Sequence, residues 1–255
     1  MSRPRSAWGL GLSLLLWSGV ALAAPLVVLD PGHGGAYEGA MGVGGVMEKK
    51  LALDVTRRVK ERLEAAGLRV ALTRDRDVHV RLQDRVSFSN TQRPELFVSI
   101  HCNSMPTQAA RARTAGVQTF FLSADPSGEE AGRTALRENA DSSTARHPRT
   151  EDTLAFILQD LQRTEAHRDS ARLAATLHAR VLEATSAEDR GVQQAPLFVL
   201  MGMDAPAVLL EVGFIAHPVE GKRLQEPAYQ EKLAEGVTAG IQAFLQQRPA
   251  AAATP

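Results

Sequence analysis

The chain contains 255 residues, of which 44% are hydrophobic and 23% charged, and its formal net charge at pH 7 is zero. These values are ordinary for one α/β domain, or at most two small ones, and the length suffices to bury a sizeable core. The balanced charge, without a basic patch, argues against a nucleic-acid-binding protein. Because Cys102 is the single cysteine, an internal disulfide is excluded.

The first 23 residues differ from the rest of the chain. Two arginines precede an apolar run over 10–22, which ends in the sequence Ala21-Leu22-Ala23. This pattern is typical of a secretory signal peptide that is cleaved after Ala23. A membrane anchor is the less favoured alternative, since the run is shorter than the roughly 20 residues that span a bilayer. Cleavage leaves 27 basic and 29 acidic side chains, and we expect an exported protein of the periplasm or cell envelope without a membrane anchor.

Residues 27–29 form an apolar run that leads into the glycine-rich segment 30–35, which carries His33. The run is predicted to be a buried strand, because Pro31 ends it and the glycines allow a tight turn. Such a turn places the His33 imidazole at the carboxyl end of the strand, where ligands of α/β sheets bind.

The next element is indicated by four apolar residues that recur every four positions and are followed by a glycine at 67: Leu51, Val55, Val59 and Leu63. They predict an amphipathic helix over 48–66. The same kinds of pattern predict strands over 68–73, 95–101, 116–122, 197–200 and 207–212, and helices over 82–90, 154–161, 171–184 and 227–245. Residues 123–152 hold few apolar residues and many charges, so we expect a long loop there that is functional or disordered.

Strands that alternate with helices favour an α/β fold in three layers, with a mostly parallel sheet flanked by helices on both faces. One domain then occupies residues 24–248, with an insert at about 123–168, and residues 249–255 form a short tail. His33, His101 and Glu211 all lie at or near the carboxyl ends of predicted strands, and therefore at one edge of the sheet.

His33 and His101 together predict a metal site. One histidine at a strand end is more often structural, but two imidazoles with an acid nearby suit a catalytic zinc ion, which takes three protein ligands and keeps a fourth position open. Glu48 is our choice for the acid, because it opens the first predicted helix fifteen residues after His33. The alternative role for Glu48 is a carboxylate that stabilises the helix N-terminus through the helix dipole.

Glu211 interrupts an apolar run over 207–214. Burying a carboxylate there is costly unless it is paired or catalytic, so we favour a general base beside the zinc over a structural salt bridge. Cys102 is expected to be a small buried hydrophobe and not a nucleophile, because successive side chains of a strand point to opposite faces.

Three further polar residues are candidates for substrate contact: Arg74, Asn103 and His217. Arg74 follows a predicted strand, Asn103 follows the next one, and His217 lies close to Glu211 in the sequence. For Arg74 a structural ion pair is an equally favoured alternative. His178 lies among apolar residues of a predicted helix and is not expected to be a ligand.

Several motifs follow one another along nearly the whole chain after residue 23. They are Val28–Gly35, Glu48-Lys49, Leu72–Arg74 with Leu82 and Arg85, Phe97–Asn103, Pro196–Leu200 and Pro206–Ile215. In this order they resemble the zinc-dependent N-acetylmuramoyl-L-alanine amidases, the family 3 type of bacterial cell-wall amidase. Any one motif is weak evidence, but the series is a strong signal.

The resemblance implies a mixed six-stranded sheet. It also implies hydrolysis of the amide between the lactyl group of N-acetylmuramic acid and L-alanine in peptidoglycan, in cell-wall remodelling and daughter-cell separation. On the same basis, His33, Glu48 and His101 bind one Zn²⁺ and Glu211 is the catalytic acid/base. The last motif continues with Ala216-His217, where relatives often have Ser-Asn, so substrate contact at this position stays open.

Residues 123–168 resemble the insert of division-associated members, in which a helix can cover the zinc until an activator protein displaces it. Within 123–152, the candidates to occupy the fourth zinc position are Glu129, Glu130 and Glu138. Such contact would hold the enzyme in a low-activity state. The expected partners are peptidoglycan and an activator, and we expect a monomer.

Two other functions are left open by the residues. An exported zinc peptidase or deacetylase would use the same ligands and base, since these do not identify the amide that is cut. A wall-binding or regulatory protein that kept only the fold would lack a ligand or the base, whereas all four residues are present here.

Overall fold

The computed structural model describes residues 24–140 and 164–247. The predicted signal peptide, the helix predicted over 154–161 and the C-terminal tail lie outside the described residues. Within the described ranges, no helix combines the length and the apolar character that crossing a membrane requires.

Six strands form one sheet: β1 (Leu26–Pro31), β2 (Arg69–Leu72), β3 (Leu96–Asn103), β4 (Val117–Leu122), β5 (Asp189–Ala195) and β6 (Ala207–Phe214). Their order across the sheet is β2-β1-β3-β6-β4-β5. Neighbouring strands run parallel except for β4 and β6, which are antiparallel. The predicted mixed, mostly parallel six-stranded sheet is therefore confirmed.

Seven α-helices accompany these strands in the described ranges: α1 (Glu48–Ala65), α2 (Leu82–Gln92), α3 (Gln108–Arg111), α4 (Glu129–Asn139), α5 (Thr164–Thr185), α6 (Glu220–Arg223) and α7 (Pro227–Gln247). Helices α1, α5 and α7 cover one face of the sheet, while α2 and α4 cover the other. The strands divide their side chains accordingly, with Val27 and Leu29 in the first core and Val28 in the second.

Helices α5 and α7 approach each other closely because α7 has glycines at the contact. A Cβ atom added to Gly236 would lie 2.7 Å from the Cα atom of Val181, and one added to Gly240 would lie 2.7 Å from the Cα atom of Leu177. No larger residue fits without separating the two helices.

The strand predicted over 197–200 is wrong. These residues form turns, and the sheet is completed instead by β5, whose sequence DRGVQQA lacks the apolar alternation of a strand. Leu197 and Leu200 are buried because they pack in the second core from outside the sheet. Since β5 is an edge strand, most of its residues keep solvent contact and carry no hydrophobic pattern.

The long loop expected over 123–152 is also corrected, because helix α4 lies inside it. The apolar signal of α4 is weak since only Ala131 and Ala135 face the second core. Together with Glu138 they lie four and three residues apart, which places all three on one side of the helix.

Candidate metal centre

Strands β1, β3 and β6 lie next to one another and run parallel, so their carboxyl ends meet at one edge of the sheet. His33 follows β1 in the glycine-rich turn, and its backbone adopts a left-handed conformation with φ of 57°. His101 lies on β3 directly opposite Glu211 on β6, so the two side chains project from the same face of the sheet. The fold thus brings together three of the residues that the sequence singled out.

Glu48 is the first residue of α1 and is fully buried. Its Oε1 atom lies 3.1 Å from Nε2 of His33 and 3.1 Å from Nδ1 of His101. The backbone N–H groups of Ala40 and Cys102 donate to its two oxygens at 2.7 and 2.9 Å. These bonds fix the carboxylate between the two imidazoles, so the three side chains predicted as ligands lie together.

A fourth side chain reaches the same point from α4. The Oε2 atom of Glu138 lies 2.7 Å from Nδ1 of His101 and 3.2 Å from Nε2 of His33. One ligand atom from each of His33, Glu48, His101 and Glu138 can be chosen so that all four lie within 4.8 Å of one another. Of the three glutamates considered in the insert, the structure therefore places Glu138 at the site.

The other two glutamates of the insert lie elsewhere. Glu129 is 89% exposed and forms an ion pair with Arg133 one turn further along α4. Glu130 accepts hydrogen bonds from Arg190 at 2.8 Å and from Gln118 at 2.9 Å, and so ties the start of α4 to β5 and β4.

The four side chains suit a divalent cation such as zinc, which prefers imidazole nitrogen and carboxylate oxygen in a tetrahedral arrangement. Among the described residues, Nε2 of His33 and Oε2 of Glu138 are buried and contact only other members of the cluster, without the angles of a hydrogen bond. Glycines make room for this cluster: a Cβ atom on Gly39 would lie 2.5 Å from Oε2 of Glu48, and one on Gly32 would lie 2.5 Å from the His101 ring.

The carboxylates of Glu48 and Glu138 favour positive charge within the cluster. Burial alone would lower the pKa of both imidazoles, but the carboxylates of Glu48 and Glu138 outweigh it. The pKa of His33 is raised well above its usual value and that of His101 to about 9. Against its own burial, Glu48 has a pKa lowered to about 2, chiefly by His33. The site is thus built to hold either protons or a cation.

Glu211 lies beside the cluster, fully buried, and is paired with Arg137 of α4. The Arg137 Nη2 group donates to Oε1 of Glu211 at 2.8 Å, and its Nε group donates to Glu138 at 2.7 Å. Burial raises the pKa of Glu211 to about 8, although Arg137 opposes the shift. Sequence reasoning missed Arg137; its only signal was its position next to a candidate ligand.

The three candidates for substrate contact are occupied within the protein. Arg74 is buried and donates to the backbone carbonyls of Pro31 and Gly32, so its structural alternative is favoured, with carbonyls as partners in place of an acid. Asn103 is buried and accepts a hydrogen bond from Arg137 at 2.9 Å. Nδ1 of His217 accepts from the backbone N–H of Glu220 at the start of α6.

Two expected non-ligands also stay outside the cluster. Cys102 points away from His101 into the first core, where burial raises the pKa of its thiol, as expected for an inert hydrophobe. His178 contacts Thr119 at 3.0 Å and Asp189 at 2.8 Å.

An α/β sheet that carries two histidines and a glutamate at one edge, beside a separate buried carboxylate, is typical of a metal-dependent hydrolase. Residues 27–243 match the family described as N-acetylmuramoyl-L-alanine amidase. The chain therefore belongs to the N-acetylmuramoyl-L-alanine amidase family, as the motifs of the sequence indicated.

Individual relatives agree with this assignment. The chain is 32% identical to the N-acetylmuramoyl-L-alanine amidase AmiA of Escherichia coli K12, with 86% of this chain and 76% of that protein covered. It is 30% identical to AmiC of Neisseria meningitidis serogroup B, where 87% of this chain spans only 53% of the relative. Among solved structures, the amidase AmiC2 of Nostoc punctiforme is similar with a TM-score of 0.65 and 28% identity, covering 88% and 98% of the two chains.

Proposed function

We propose that the protein is a zinc-dependent amidase that hydrolyses the bond between the lactyl group of N-acetylmuramic acid and L-alanine in peptidoglycan. Its role would be cell-wall remodelling and the separation of daughter cells. The observation that carries this proposal is the buried cluster of His33, Glu48 and His101 beside Glu211 in a chain of the amidase family.

In this proposal His33, Glu48 and His101 would hold one zinc ion. When bound, zinc lowers the pKa of water and polarises a carbonyl oxygen. Glu211 takes a proton from the attacking water as the new C–O bond forms, and the same carboxyl passes this proton to the alanine nitrogen as the C–N bond breaks. In the closed arrangement, burial raises the pKa of the Glu211 carboxyl, and a raised pKa is the direction that favours a general base.

The same proposal includes a closed state that is held by α4. Glu138 lies where a fourth ligand of the metal would bind, and Arg137 neutralises and covers Glu211. Both the metal site and the base are therefore blocked by consecutive residues of one helix. We propose that an activator protein displaces α4 and that peptidoglycan then enters the cleft.

The first experiment tests the base. Glu211→Gln should abolish release of stem peptides from purified sacculi while zinc content stays at wild-type level. The comparison is best made in a Glu138→Gln background, so that the closed state does not mask turnover, with Glu226→Gln at an exposed site as the matched control. Normal digestion by the Glu211 variant would overturn the assignment.

The products distinguish the proposed amidase from a zinc peptidase or deacetylase, which is the alternative. Mass spectrometry of digested muropeptides should detect whole stem peptides with a free L-alanine amine and glycan strands that keep their acetyl groups. Shortened stem peptides or deacetylated sugars would point to the alternative activities.

The second experiment tests the closed state. Glu138→Gln removes a charged contact of the kind that contributes about 1.5–3 kcal/mol, so basal activity should rise roughly 10- to 150-fold. Glu129→Gln makes the same chemical change at the first residue of α4, where the side chain is exposed, and should leave basal activity unchanged. Equal activity of both variants would contradict the closed state.

Export to the periplasm or cell envelope, without a membrane anchor, is proposed from the N-terminal segment alone. Mass spectrometry of the protein recovered from the envelope fraction should show Ala24 as the first residue. A protein that retains residues 1–23 would contradict this. The metal and the monomeric state can be measured on the same sample by elemental analysis and light scattering, with one zinc ion per chain expected.

A further inference from the structure

Three consecutive backbone carbonyls in the turn that carries His33 are all held by buried arginines. The carbonyl of Pro31 accepts from both Arg74 and Arg85, that of Gly32 from Arg74, and that of His33 from Arg85. His33 has a positive φ, which costs a residue other than glycine roughly 1 kcal/mol and persists only where the surroundings impose it. The hydrogen bonds of the two guanidinium groups to this turn are surroundings of that kind.

Arg85 is the more deeply buried of the two. Its Nη1 group donates to Asp30 at 2.6 Å and to the Pro31 carbonyl at 2.8 Å, while its Nη2 group donates to the His33 carbonyl at 2.7 Å. Asp30 also accepts hydrogen bonds from Ser99 at 2.6 Å and from Thr73. A buried ion pair of this kind seldom stabilises a fold more than apolar residues of the same volume would. We therefore explain the pair of Asp30 and Arg85 by the geometry that it gives the turn, and not by a gain in stability.

Arg74 joins two segments that carry ligands. Its Nη2 group donates to the carbonyl of Gly32 at 2.7 Å and to the carbonyl of Lys49 at 2.8 Å. Gly32 directly precedes His33, and Lys49 directly follows Glu48. One planar guanidinium therefore fixes the distance between the turn and the start of α1, which a flexible ammonium group would do less rigidly.

We propose that Arg74 and Arg85, with Asp30 as the counter-ion of Arg85, are positioning residues that preform the metal site by holding His33 and Glu48 at a fixed separation. None of the three belongs to the cluster of His33, Glu48, His101 and Glu138 that would hold the metal. The inference rests on the proposed zinc site, and it concerns how that site is built and not which bond the enzyme cuts. Partners of this kind typically contribute 10- to 100-fold to metal affinity.

The test measures metal binding independently of activity. Zinc affinity is determined by competition with a chromophoric chelator, and the coordination geometry is followed by the visible absorption of the Co²⁺-substituted protein. Arg85→Met and Arg74→Met should each weaken zinc binding roughly 10- to 100-fold and alter the Co²⁺ spectrum. Arg85→Lys, which keeps the charge but not the paired donors, should recover only part of the affinity.

Arg81→Met is the matched control, because Arg81 lies four residues before Arg85 and is exposed in a surface pair with Asp84. It should bind zinc like the wild type. If Arg85→Met does not fold, Arg85→Lys and Asp30→Asn supply the same comparison. Folded variants with wild-type zinc affinity and an unchanged Co²⁺ spectrum would overturn the inference, even if their thermal stability were lower.

The outcome is separable from that of the proposed function. Wild-type protein that binds zinc but releases no stem peptide would refute the amidase activity and leave the positioning role intact. Variants that lose zinc affinity in parallel with activity would support both, whereas variants that keep zinc affinity would refute only the positioning role.

Discussion

His33 and His101 present their ring nitrogens to the same two carboxylates, Glu48 and Glu138, and the four ligand atoms lie within 4.8 Å of one another. Because these carboxylates raise the pKa of both imidazoles, the metal-free protein at pH 7 holds protons where the metal would bind. Protonation and metal binding therefore compete at the level of individual residues.

We predict that zinc binding at pH 7 releases about one to two protons per ion, because imidazoles bind metal in their neutral form. Zinc affinity should rise as the pH increases from 6 toward 9, the pKa of His101. Because folding raises the pKa of His101, its protonated form stabilises the metal-free protein. This stabilisation is complete below about pH 6.5 and is lost as the pH rises through about 9.

Calorimetric titration in buffers of different ionisation enthalpy measures this proton release. A His101→Ala variant, which lacks one of the proposed ligands, should bind zinc more weakly and release fewer protons per ion. A binding enthalpy that is the same in every buffer for the wild type would contradict the prediction.

At the scale of elements, α4 is held to the sheet by a few contacts of different kinds. Ala131 and Ala135 pack in the second core, Glu130 pairs with Arg190 at one end, and Asn139 donates to the carbonyl of Pro196 at the other. Leu136 points outward and is 77% exposed. The apolar contact of α4 with the second core is limited to two alanines, so polar contacts supply much of its attachment.

We predict that Ala135→Leu raises basal activity. Additional methylene groups in a packed core cost about 1–3 kcal/mol, which corresponds to roughly 5- to 150-fold in the equilibrium between attached and detached α4. Assays on purified sacculi measure the rise. Leu136→Ala on the exposed side of the same turn should have no effect, and a variant at 135 that loses stability without gaining activity would contradict the idea.

The contact between α5 and α7 allows a second prediction at this scale. Gly240→Ala improves helix propensity by about 1 kcal/mol, yet the new Cβ atom would lie 2.7 Å from Leu177. The clash should dominate, with a net loss of about 1–2 kcal/mol in the free energy of unfolding.

Denaturant unfolding measures this change against Gly132→Ala, the same substitution in α4. The nearest atom to a Cβ at 132 is 3.6 Å away, in Pro126, so there only the gain in helix propensity remains. A Gly240→Ala variant that is as stable as the wild type would show that α5 and α7 can separate freely.

At the scale of the whole molecule, the fold and the residues that meet at the candidate site could be predicted from the sequence for a physical reason. Buried parallel strands are continuous apolar runs, so His101 and Glu211 stand out as polar interruptions of β3 and β6. The parallel arrangement then dictates that such strand ends meet. Glu48 was chosen for its position at a helix start, where a helix-dipole role was the alternative, and the motifs of the amidase family then favoured the ligand role.

The sequence did not predict the elements and side chains that have both polar and apolar surroundings. Strand β5 is polar because it is an edge, and α4 is polar because its inner side faces charged ligands as much as the core. Arg137 and Arg74 are both arginines next to candidate site residues, yet one faces Glu211 and the other faces backbone carbonyls. Only the three-dimensional arrangement separates these two roles.

Arg137 and Glu138 follow each other on α4, so displacement of this helix would remove both side chains from their partners at once. One detachment of α4 would expose the metal site and the base together, and an intermediate with only one of them free would be rare. Each molecule would then be either closed or open. Each 1.4 kcal/mol of free energy that an activator supplies would change the active fraction tenfold while that fraction is small. Weak engagement of α4 would therefore leave most molecules closed, and strong engagement would open nearly all of them.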